Sequence, residues 1–251
     1  MPKVLISDKL SPKAAEIFRD RGIEVDFRPG LVGNDLLAAI RDVDGLAIRS
    51  ATTVTADLMD AAENLKVVGR AGIGIDNVDV DAATQRGVVV MNTPFGNSVT
   101  TAEHAIAMMM SLARQLPAAN ASTHAGKWEK SAFMGMELAS KTLGLVGCGN
   151  IGSIVVDRAQ GLKMRVIVYD PFLSTEKAES LSVEKVEFEE LLRRAEVITI
   201  HAPLNDGTRG LLDADAFAKM KDSVRIVNCA RGGIIVEADL HDAIENGKVA
   251  G

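Results

Sequence analysis

The stretch Gly147-Cys148-Gly149-Asn150-Ile151-Gly152 decides the fold, because of what precedes and follows it. Residues 142–146 ahead of it form a short apolar run typical of a buried strand, and residues 151–162 have the apolar spacing of a helix. A second apolar run, 164–169, ends at Asp170. Glycines in this strand–turn–helix–strand–acid order predict a dinucleotide-binding fold, whereas the glycines alone would also fit a turn in an unrelated α/β protein.

Each glycine of this loop is expected to have a separate physical role. Gly147 permits a tight turn, Gly149 lets the backbone approach a pyrophosphate, and Gly152 lets the helix pack closely on the strand. The helix N-terminus then presents N–H groups and a positive dipole end to the anion. The carboxylate of Asp170 can accept both hydroxyls of an adenosine ribose and would repel a 2′-phosphate. The sequence therefore predicts NAD, rather than NADP, as the cofactor.

The composition limits the class of protein and its partners. A length of 251 residues allows one large domain or two ordinary ones, and 47% apolar with 25% charged residues is typical of a soluble globular protein. The 34 acidic residues outnumber the 28 basic ones and no basic run occurs, which argues against nucleic-acid binding. The sequence shows no membrane span, no signal peptide and no metal-binding pattern, and Cys148 and Cys229 suggest no disulfide framework. We therefore expect a cytoplasmic protein.

Two doubly wound parallel-sheet α/β domains are predicted, at residues 1–97 and 98–251. Strands and helices alternate with short connections through the first, which is expected to be a flavodoxin-like substrate-binding domain. The second is expected to be a Rossmann domain cut short at its sixth strand, which would open at Lys248-Val249-Ala250-Gly251. Such a domain would leave an unpaired edge and an uncovered apolar face near 224–227 and Val249, and would favour self-association.

The segment between the two strand-rich regions is predicted to be mainly helical. Residues 100–115 read as a long helix, in which Met108-Met109-Met110 is interpreted as deformable core packing. Residues 118–130 read as a more polar helical arm that carries Trp128. That arm is either a self-association element, favouring a homodimer or tetramer, or an intramolecular brace.

Two segments of the second domain follow strands and carry candidate site residues. Asn228-Cys229-Ala230-Arg231-Gly232-Gly233 ends one strand, and the planar guanidinium of Arg231 matches the two oxygens of a carboxylate or keto acid. His201-Ala202-Pro203 ends another, so its backbone is expected to face the nicotinamide or its ribose. His201 is interpreted as a cofactor contact, with a catalytic role as the alternative.

The first domain carries further groups suited to an anion. Arg49-Ser50 and Arg70-Ala71-Gly72 both follow strands, and two arginines at neighbouring strand ends can converge on one anion. Asn97 and Ser98 precede the long helix and offer side-chain and backbone donors at its N-terminus. Together these residues predict a substrate site between the two domains that binds a small anion.

The chain resembles the D-isomer-specific 2-hydroxyacid dehydrogenase family, and in particular its phosphoglycerate branch, over essentially all 251 residues. The resemblance is carried by Ile48-Arg49-Ser50-Ala51-Thr52, by residues 67–77, by Met91-Asn92-Thr93-Pro94-Phe95-Gly96-Asn97-Ser98, by the 147–152 glycine loop and by Val227-Asn228-Cys229-Ala230-Arg231-Gly232-Gly233. It implies oxidation of 3-phosphoglycerate to 3-phosphohydroxypyruvate with NAD, the first step of serine synthesis.

The resemblance also implies roles for individual residues. Arg231 matches the family's active-site arginine, which orients the substrate carboxylate and carbonyl. Arg49, Ser50, Arg70 and Gly72 would hold the phosphorylated substrate. The positions that match NAD contacts are Asn150, Ile151, Asp170, Cys229, Ala230 and Ile73, with His201-Ala202-Pro203 where the family's strand end passes the cofactor.

One departure from the family pattern concerns its general acid/base histidine and the assisting glutamate. Neither matches a residue up to Gly251, so these 251 residues are expected to bind NAD but to be nearly inactive, since such groups typically contribute about 10²- to 10⁴-fold in rate. Two alternatives remain open. One is a reductase for glyoxylate or hydroxypyruvate, and the other is a non-enzymatic NAD-sensing binding protein, which fold analogy does not exclude.

Overall fold

The computed structural model describes residues 1–251, which divide into two compact units, Met1–Asn97 and Ser98–Gly251. Each unit contains one five-stranded sheet, and every ladder in both sheets is parallel. The predicted pair of doubly wound parallel sheets is therefore confirmed. None of the eleven α-helices combines the length and apolar character that crossing a bilayer requires.

The first unit alternates strands and helices from one end to the other. Its elements are β1 (Lys3–Ile6), α1 (Pro12–Asp20), β2 (Glu24–Phe27), α2 (Gly33–Ala39), β3 (Gly45–Ile48), α3 (Ala56–Asp60), β4 (Val67–Arg70), α4 (Val80–Gln85) and β5 (Val89–Asn92). Three helices begin where a polar side chain accepts a hydrogen bond from the first turn: Ser11 from Lys13 N, Thr55 from Leu58 N, and Asp79 from Ala82 N.

The strand order of the first sheet is β2-β1-β3-β4-β5. The strand order reverses between β1 and β3, because β2 is added on one side of β1 and the later strands are added on the other. Ligands of such sheets bind outside the carboxyl ends of the strands at this reversal. Apolar residues alternate between the two faces, so that Leu46 and Ile48 pack in one cluster while Ala47 packs in another. The helices therefore cover both faces of this sheet.

The second unit opens with helices and continues as a second alternating sheet. Its elements are α5 (Ser98–Arg114), α6 (Leu116–His124), a 3₁₀ turn (Lys130–Phe133), β6 (Thr142–Val146), α7 (Asn150–Gly161), β7 (Arg165–Tyr169), α8 (Thr175–Ser180), β8 (Glu184–Lys185), α9 (Phe188–Arg194), β9 (Val197–Ile200), α10 (Ala214–Lys219), β10 (Arg225–Asn228) and α11 (Glu237–Glu245). The strand order is β10-β9-β6-β7-β8. It reverses between β6 and β9, because β7 and β8 lie on one side of β6 while β9 and β10 lie on the other.

The helical segment at the start of this unit differs from its prediction. Only Met109 of the three consecutive methionines is buried, whereas Met108 is 44% and Met110 37% exposed. The polar arm is shorter than predicted, because α6 ends at His124 and Gly126 adopts a left-handed conformation two residues later. Trp128 therefore lies outside any helix, and it is highly exposed.

The last four residues correct the prediction of an uncovered apolar face. Residues 248–251 form no strand; they form a single parallel bridge between Val224 and Val249, supported by the Ala250 N–H donating to Val224 and the Ile226 N–H donating to Gly251. Val224, Val227 and Val249 are all buried. The expected uncovered apolar face is therefore absent, because these last residues pack beside β10 themselves.

Candidate functional site

The glycine loop connects β6 to α7 and packs against the segment that follows β9. Gly147 adopts a φ of 88°, and a Cβ there would lie 2.9 Å from the backbone of both His201 and Ala202. Only glycine combines this backbone angle with so close an approach. The loop is thus held at the reversal between β6 and β9, where the fold predicts a ligand crevice.

The N-terminus of α7 is suited to an anion. Gly149 is its N-cap residue and provides no side-chain cap, and the space around its Cα is open. A Cβ on Gly152 would overlap the carbonyl oxygen of Gly147, so glycine is needed for the first turn to sit against the loop. The first-turn N–H groups and the helix dipole therefore favour a phosphate at this point.

Asp170, at the end of β7, contacts the loop directly. Its Oδ2 accepts a hydrogen bond of 2.7 Å from the Cys148 N–H, and its Oδ1 accepts one of 2.8 Å from the Phe172 N–H. A carboxylate has about four acceptor positions, so each oxygen can still accept a ribose hydroxyl. The structure adds to the sequence interpretation, since Asp170 also fixes the path of the glycine loop.

His201 lies just beyond β9, and its ring is largely buried. Its Nε2 shares a hydrogen bond of 2.9 Å with Thr199 Oγ1, whereas its buried Nδ1 has no partner. Burial lowers the pKa of His201 to about 4, so the ring is neutral near pH 7. A neutral ring beside the crevice suits a cofactor contact better than a group that exchanges protons at neutral pH.

The depressed pKa of His201 predicts a loss of stability in mild acid. The unfolded chain binds a proton near pH 6.5 and the folded chain near pH 4, so this stability is complete above about pH 6.5 and is lost as the pH falls towards 4. Between pH 7 and pH 5 the free energy of unfolding is expected to fall by about 2 kcal/mol more in the wild type than in His201→Gln.

Urea unfolding at the two pH values measures this difference. His241→Gln is the matched control for the loss of one histidine, since His241 lies on α11 with an exposed side chain. An equal fall in the wild type and His201→Gln would show that His201 is protonated as readily in the folded chain as in the unfolded one.

Arg231 follows β10 in a turn that is held by one side chain. Asn228 Oδ1 accepts a hydrogen bond of 3.0 Å from the Ala230 N–H, and Asn228 Nδ2 donates one of 2.8 Å to the Arg231 carbonyl. Gly233 takes a left-handed conformation just after the turn. The half-buried Arg231 donates from Nη1 to the Ala230 carbonyl at 2.9 Å. Cys229, within the turn, has its pKa raised by burial and stays a thiol.

The second unit therefore gathers its candidate residues along the carboxyl edge of one sheet. The residues at this edge are Gly147, Gly149, Asn150, Ile151 and Gly152 after β6, Asp170 after β7, His201, Ala202 and Pro203 after β9, and Cys229, Ala230 and Arg231 after β10. A left-handed glycine, an uncapped helix start and a strand-end carboxylate fit the pyrophosphate and ribose of a dinucleotide.

The first unit holds its candidate arginines at two neighbouring strand ends. Arg49 and Ser50 follow β3, and Arg70 ends β4, which pairs with β3. The Arg70 side chain lies over Gly72, where any Cβ would collide with its guanidinium. Two more predicted positions lie in this unit, the exposed Asn97 and Ile73, whose carbonyl accepts from Asn92 Nδ2 at 2.6 Å. Ser98, by contrast, is the first residue of α5 in the second unit, and its hydroxyl is buried without a partner.

A buried carboxylate that the sequence analysis missed organises the Arg49 segment. Asp8 Oδ2 accepts from the N–H groups of Arg49 (2.6 Å), Ala51 (3.2 Å) and Thr52 (3.2 Å), and its Oδ1 accepts from Thr52 Oγ1 at 2.6 Å. Burial acts to raise the pKa of Asp8, but these hydrogen bonds outweigh it and hold the pKa below its ordinary value. The available signal was its position directly after β1, opposite the end of β3.

Comparison with known proteins supports a dinucleotide-binding role for the second unit. The family model described as "D-isomer specific 2-hydroxyacid dehydrogenase, NAD binding domain" matches residues 106–251. The chain is 50% identical over 249 residues to the D-3-phosphoglycerate dehydrogenase of Homo sapiens, a match that includes 99% of this chain and 47% of that protein. The chain thus spans about half the length of the curated relatives it matches.

Solved structures show the same fold over nearly the whole chain. The TT0316 protein from Thermus thermophilus superposes with a TM-score of 0.91 at 32% identity, covering 99% of this chain and 80% of that one. A glyoxylate reductase from Paecilomyes thermophila also gives a TM-score of 0.91, at 30% identity and with coverages of 99% and 79%. The family resemblance and the NAD cofactor predicted from the sequence are therefore confirmed: the chain belongs to the D-isomer specific 2-hydroxyacid dehydrogenases, and residues 106–251 match their NAD-binding domain.

Proposed function

We propose that the protein carrying this sequence oxidises 3-phosphoglycerate to 3-phosphohydroxypyruvate with NAD, the first step of serine synthesis. The relatives named D-3-phosphoglycerate dehydrogenase, at 45–50% identity, support this substrate. The observation that carries the proposal is the pair of arginines, Arg49 and Arg70, at neighbouring strand ends of the first unit. A protein with a net charge of −6 needs such local cations to bind an acid with two anionic groups.

The residues of the second unit would hold NAD and orient the reacting carbon. NAD supplies the hydride acceptor. The loop at Gly147–Gly152 and the start of α7 would bind the pyrophosphate, and Asp170 would bind the adenosine ribose. Asn150, Ile151, Ala202, Pro203, Cys229, Ala230 and Ile73 are proposed as further contacts. His201, neutral near pH 7, would pack against the nicotinamide end rather than move a proton.

Arg231 would bind the carboxylate and the adjacent oxygen of the substrate. Its planar guanidinium can donate two parallel hydrogen bonds, and the Asn228 turn fixes the backbone that carries it. Such donors would stabilise the negative charge that the substrate oxygen carries after its hydroxyl proton has left and until the hydride is transferred. Arg49, Ser50, Arg70, Gly72, Asn97 and Ser98 are proposed to bind the remaining anionic group of the substrate.

A reductase acting on glyoxylate or hydroxypyruvate is the second candidate, favoured by the likeness to the Paecilomyes thermophila glyoxylate reductase. Those substrates lack the phosphate, so they leave Arg49 and Arg70 without a second anion to bind. Turnover of 3-phosphoglycerate, hydroxypyruvate and glyoxylate should be compared at equal protein and cofactor concentration, with the whole protein that carries this sequence, because these 251 residues alone are expected to be nearly inactive. A clear preference for 3-phosphoglycerate supports the proposal, and a preference for either unphosphorylated acid supports the reductase. Tight NAD binding with no turnover of any of them supports a non-enzymatic NAD sensor.

We also propose that the protein works in the cytoplasm as a homodimer or tetramer. Exposed apolar side chains on and after α6 support self-association, among them Leu116 (53% exposed), Trp128 (86%) and Met134 (76%). Light scattering of the wild type and of a Trp128→Ser variant tests this. A monomeric wild type would contradict the proposal.

A further inference from the structure

One amide side chain links the two arginine-bearing strand ends of the first unit. Asn77 lies between β4 and α4, and its Nδ2 donates to the carbonyl oxygens of Arg49 (2.8 Å) and Thr52 (2.6 Å). Its Oδ1 accepts a hydrogen bond of 2.9 Å from Nε of Arg70. The amide therefore uses both donor hydrogens and its acceptor to join the segment after β3 to the guanidinium at the end of β4.

The contact with Nε determines which edge of Arg70 is offered to a ligand. A guanidinium has a rigid planar set of donors, so fixing Nε fixes the plane of the whole group. The edge formed by the two Nη atoms is the remaining edge that suits bidentate binding of a phosphate or carboxylate. Gly72 leaves room for Nη1, because any side chain at that position would occupy the same space.

The Arg49 segment is held from two directions by Asn77 and Asp8. Asp8 accepts the N–H groups of Arg49 and Thr52, while Asn77 donates to the carbonyl groups of these same two residues. Asp8 thus anchors the segment to β1, and Asn77 anchors it to Arg70. Removal of the Asn77 amide would leave the segment attached at one side only and would release the Arg70 guanidinium.

We infer that Asn77 is a positioning residue that aims Arg70 for binding an anionic group of the substrate, while Asp8 still holds the Arg49 segment when the Asn77 amide is removed. This inference rests on the proposed function in that it takes 3-phosphoglycerate as the anion. Neither an aspartate nor a leucine could replace Asn77, since aspartate lacks the two donor hydrogens and leucine lacks both the donors and the acceptor.

A double-mutant cycle with Arg70 tests the inference. In calorimetric titration with 3-phosphoglycerate, Asn77→Ala should raise the dissociation constant about tenfold in the wild-type background. In an Arg70→Lys background it should raise that constant by less than about twofold. If Asn77→Ala acted only by disturbing the structure, it would raise the dissociation constant by the same factor in both backgrounds. That result would contradict the inference. Asn77→Ser provides a second variant if the alanine variant does not fold.

Asp79→Ala is the matched control. Asp79 lies two residues further on and caps α4, so its replacement lowers the melting temperature without touching Arg70. Its affinity for 3-phosphoglycerate should stay within about twofold of wild type. A tenfold loss in the control as well would mean that destabilisation of the unit explains the effect of Asn77→Ala.

Nitrogen-15 NMR of the Arg70 Nε–H group separates failure of this inference from failure of the proposed function. The Nε–H signal, assigned by its loss in Arg70→Lys, should be protected from exchange in the wild type and lost in Asn77→Ala. An exposed Nε–H in the wild type overturns the inference whatever the protein binds. A protected Nε–H in a protein that does not bind 3-phosphoglycerate leaves the contact intact and overturns the substrate assignment.

Discussion

Replacement of Arg231 by Ala is expected to lower kcat/KM for 3-phosphoglycerate by about 10³-fold, or about 4 kcal/mol of transition-state stabilisation. The guanidinium is the only side-chain cation in the Asn228–Gly233 turn. That turn and the glycine loop both lie at the carboxyl ends of the strands of one sheet. Loss of the guanidinium is expected to raise KM, because it would bind the substrate carboxylate, and to lower kcat, because it would stabilise the negative charge on the reacting oxygen. Steady-state kinetics of the whole protein that carries this sequence, with saturating NAD, measures the change.

Arg225→Ala is the control for the Arg231 experiment. Arg225 begins the same strand, β10, at the opposite edge of the sheet, and its Nη1 makes only a long hydrogen bond of 3.4 Å to the Ser223 carbonyl. Its removal should leave kcat/KM within about twofold of wild type. Equal losses in the two variants, or an Arg231→Ala enzyme with normal kcat/KM, would exclude Arg231 from the reaction.

NAD is expected to bind about 10²-fold more tightly than NADP, because the Asp170 carboxylate would face the 2′-phosphate. Two unit charges about 4 Å apart repel by about 4 kcal/mol at an effective dielectric constant of 20, and partial exposure of Asp170 to salt and water reduces this to about 3 kcal/mol. Asp170→Ala should bring the two affinities within about fivefold. The same substitution should also weaken the binding of NAD, since it removes the hydrogen bond that Asp170 accepts from the Cys148 N–H.

Asp157→Ala controls for the loss of one acidic group. Asp157 lies on α7 with its carboxylate exposed and paired with Arg158, away from the helix start. Titration calorimetry with each cofactor should give it the same NAD preference as the wild type. Equal affinity of the wild-type protein for NAD and NADP would remove Asp170 from the cofactor site.

The parts of the fold that follow from local pattern were predictable from the sequence. The apolar run ahead of Gly147, the glycine spacing and Asp170 at the end of the next run are set by contacts close together along the chain, and β6, α7 and β7 lie where that pattern predicts them. The alternation of short apolar runs and helices likewise gave the parallel sheets. The cofactor followed from the same elements, because the helix start and the strand-end acid are themselves the ligand-binding groups.

Elements without an apolar pattern were missed or misplaced. Helix α8, Thr175–Ser180, is almost entirely polar and buries only Ala178, so no periodicity marks it; the single local signal is Ser174, whose hydroxyl accepts from Lys177 N–H. The arm that carries Trp128 was predicted too long for a similar reason, since its polar residues fit a helix or a turn equally well.

The network around the arginines of the first unit was beyond sequence reasoning because its partners are distant along the chain. Asp8 binds a segment that begins at Arg49, and Asn77 reaches back to Arg49 and Thr52. An aspartate after a strand and an asparagine in a loop are ordinary turn residues by pattern. Their roles appear only once the parallel pairing of β1, β3 and β4 brings these strand ends side by side.

The most direct test of the central claim is a crystal structure of this chain with NAD bound. We expect the pyrophosphate against the N–H groups of the Gly147–Gly152 loop and the start of α7, with both adenosine ribose hydroxyls within hydrogen-bond distance of the Asp170 carboxylate. A dinucleotide seated elsewhere on the chain, or one whose ribose does not contact Asp170, would contradict the account.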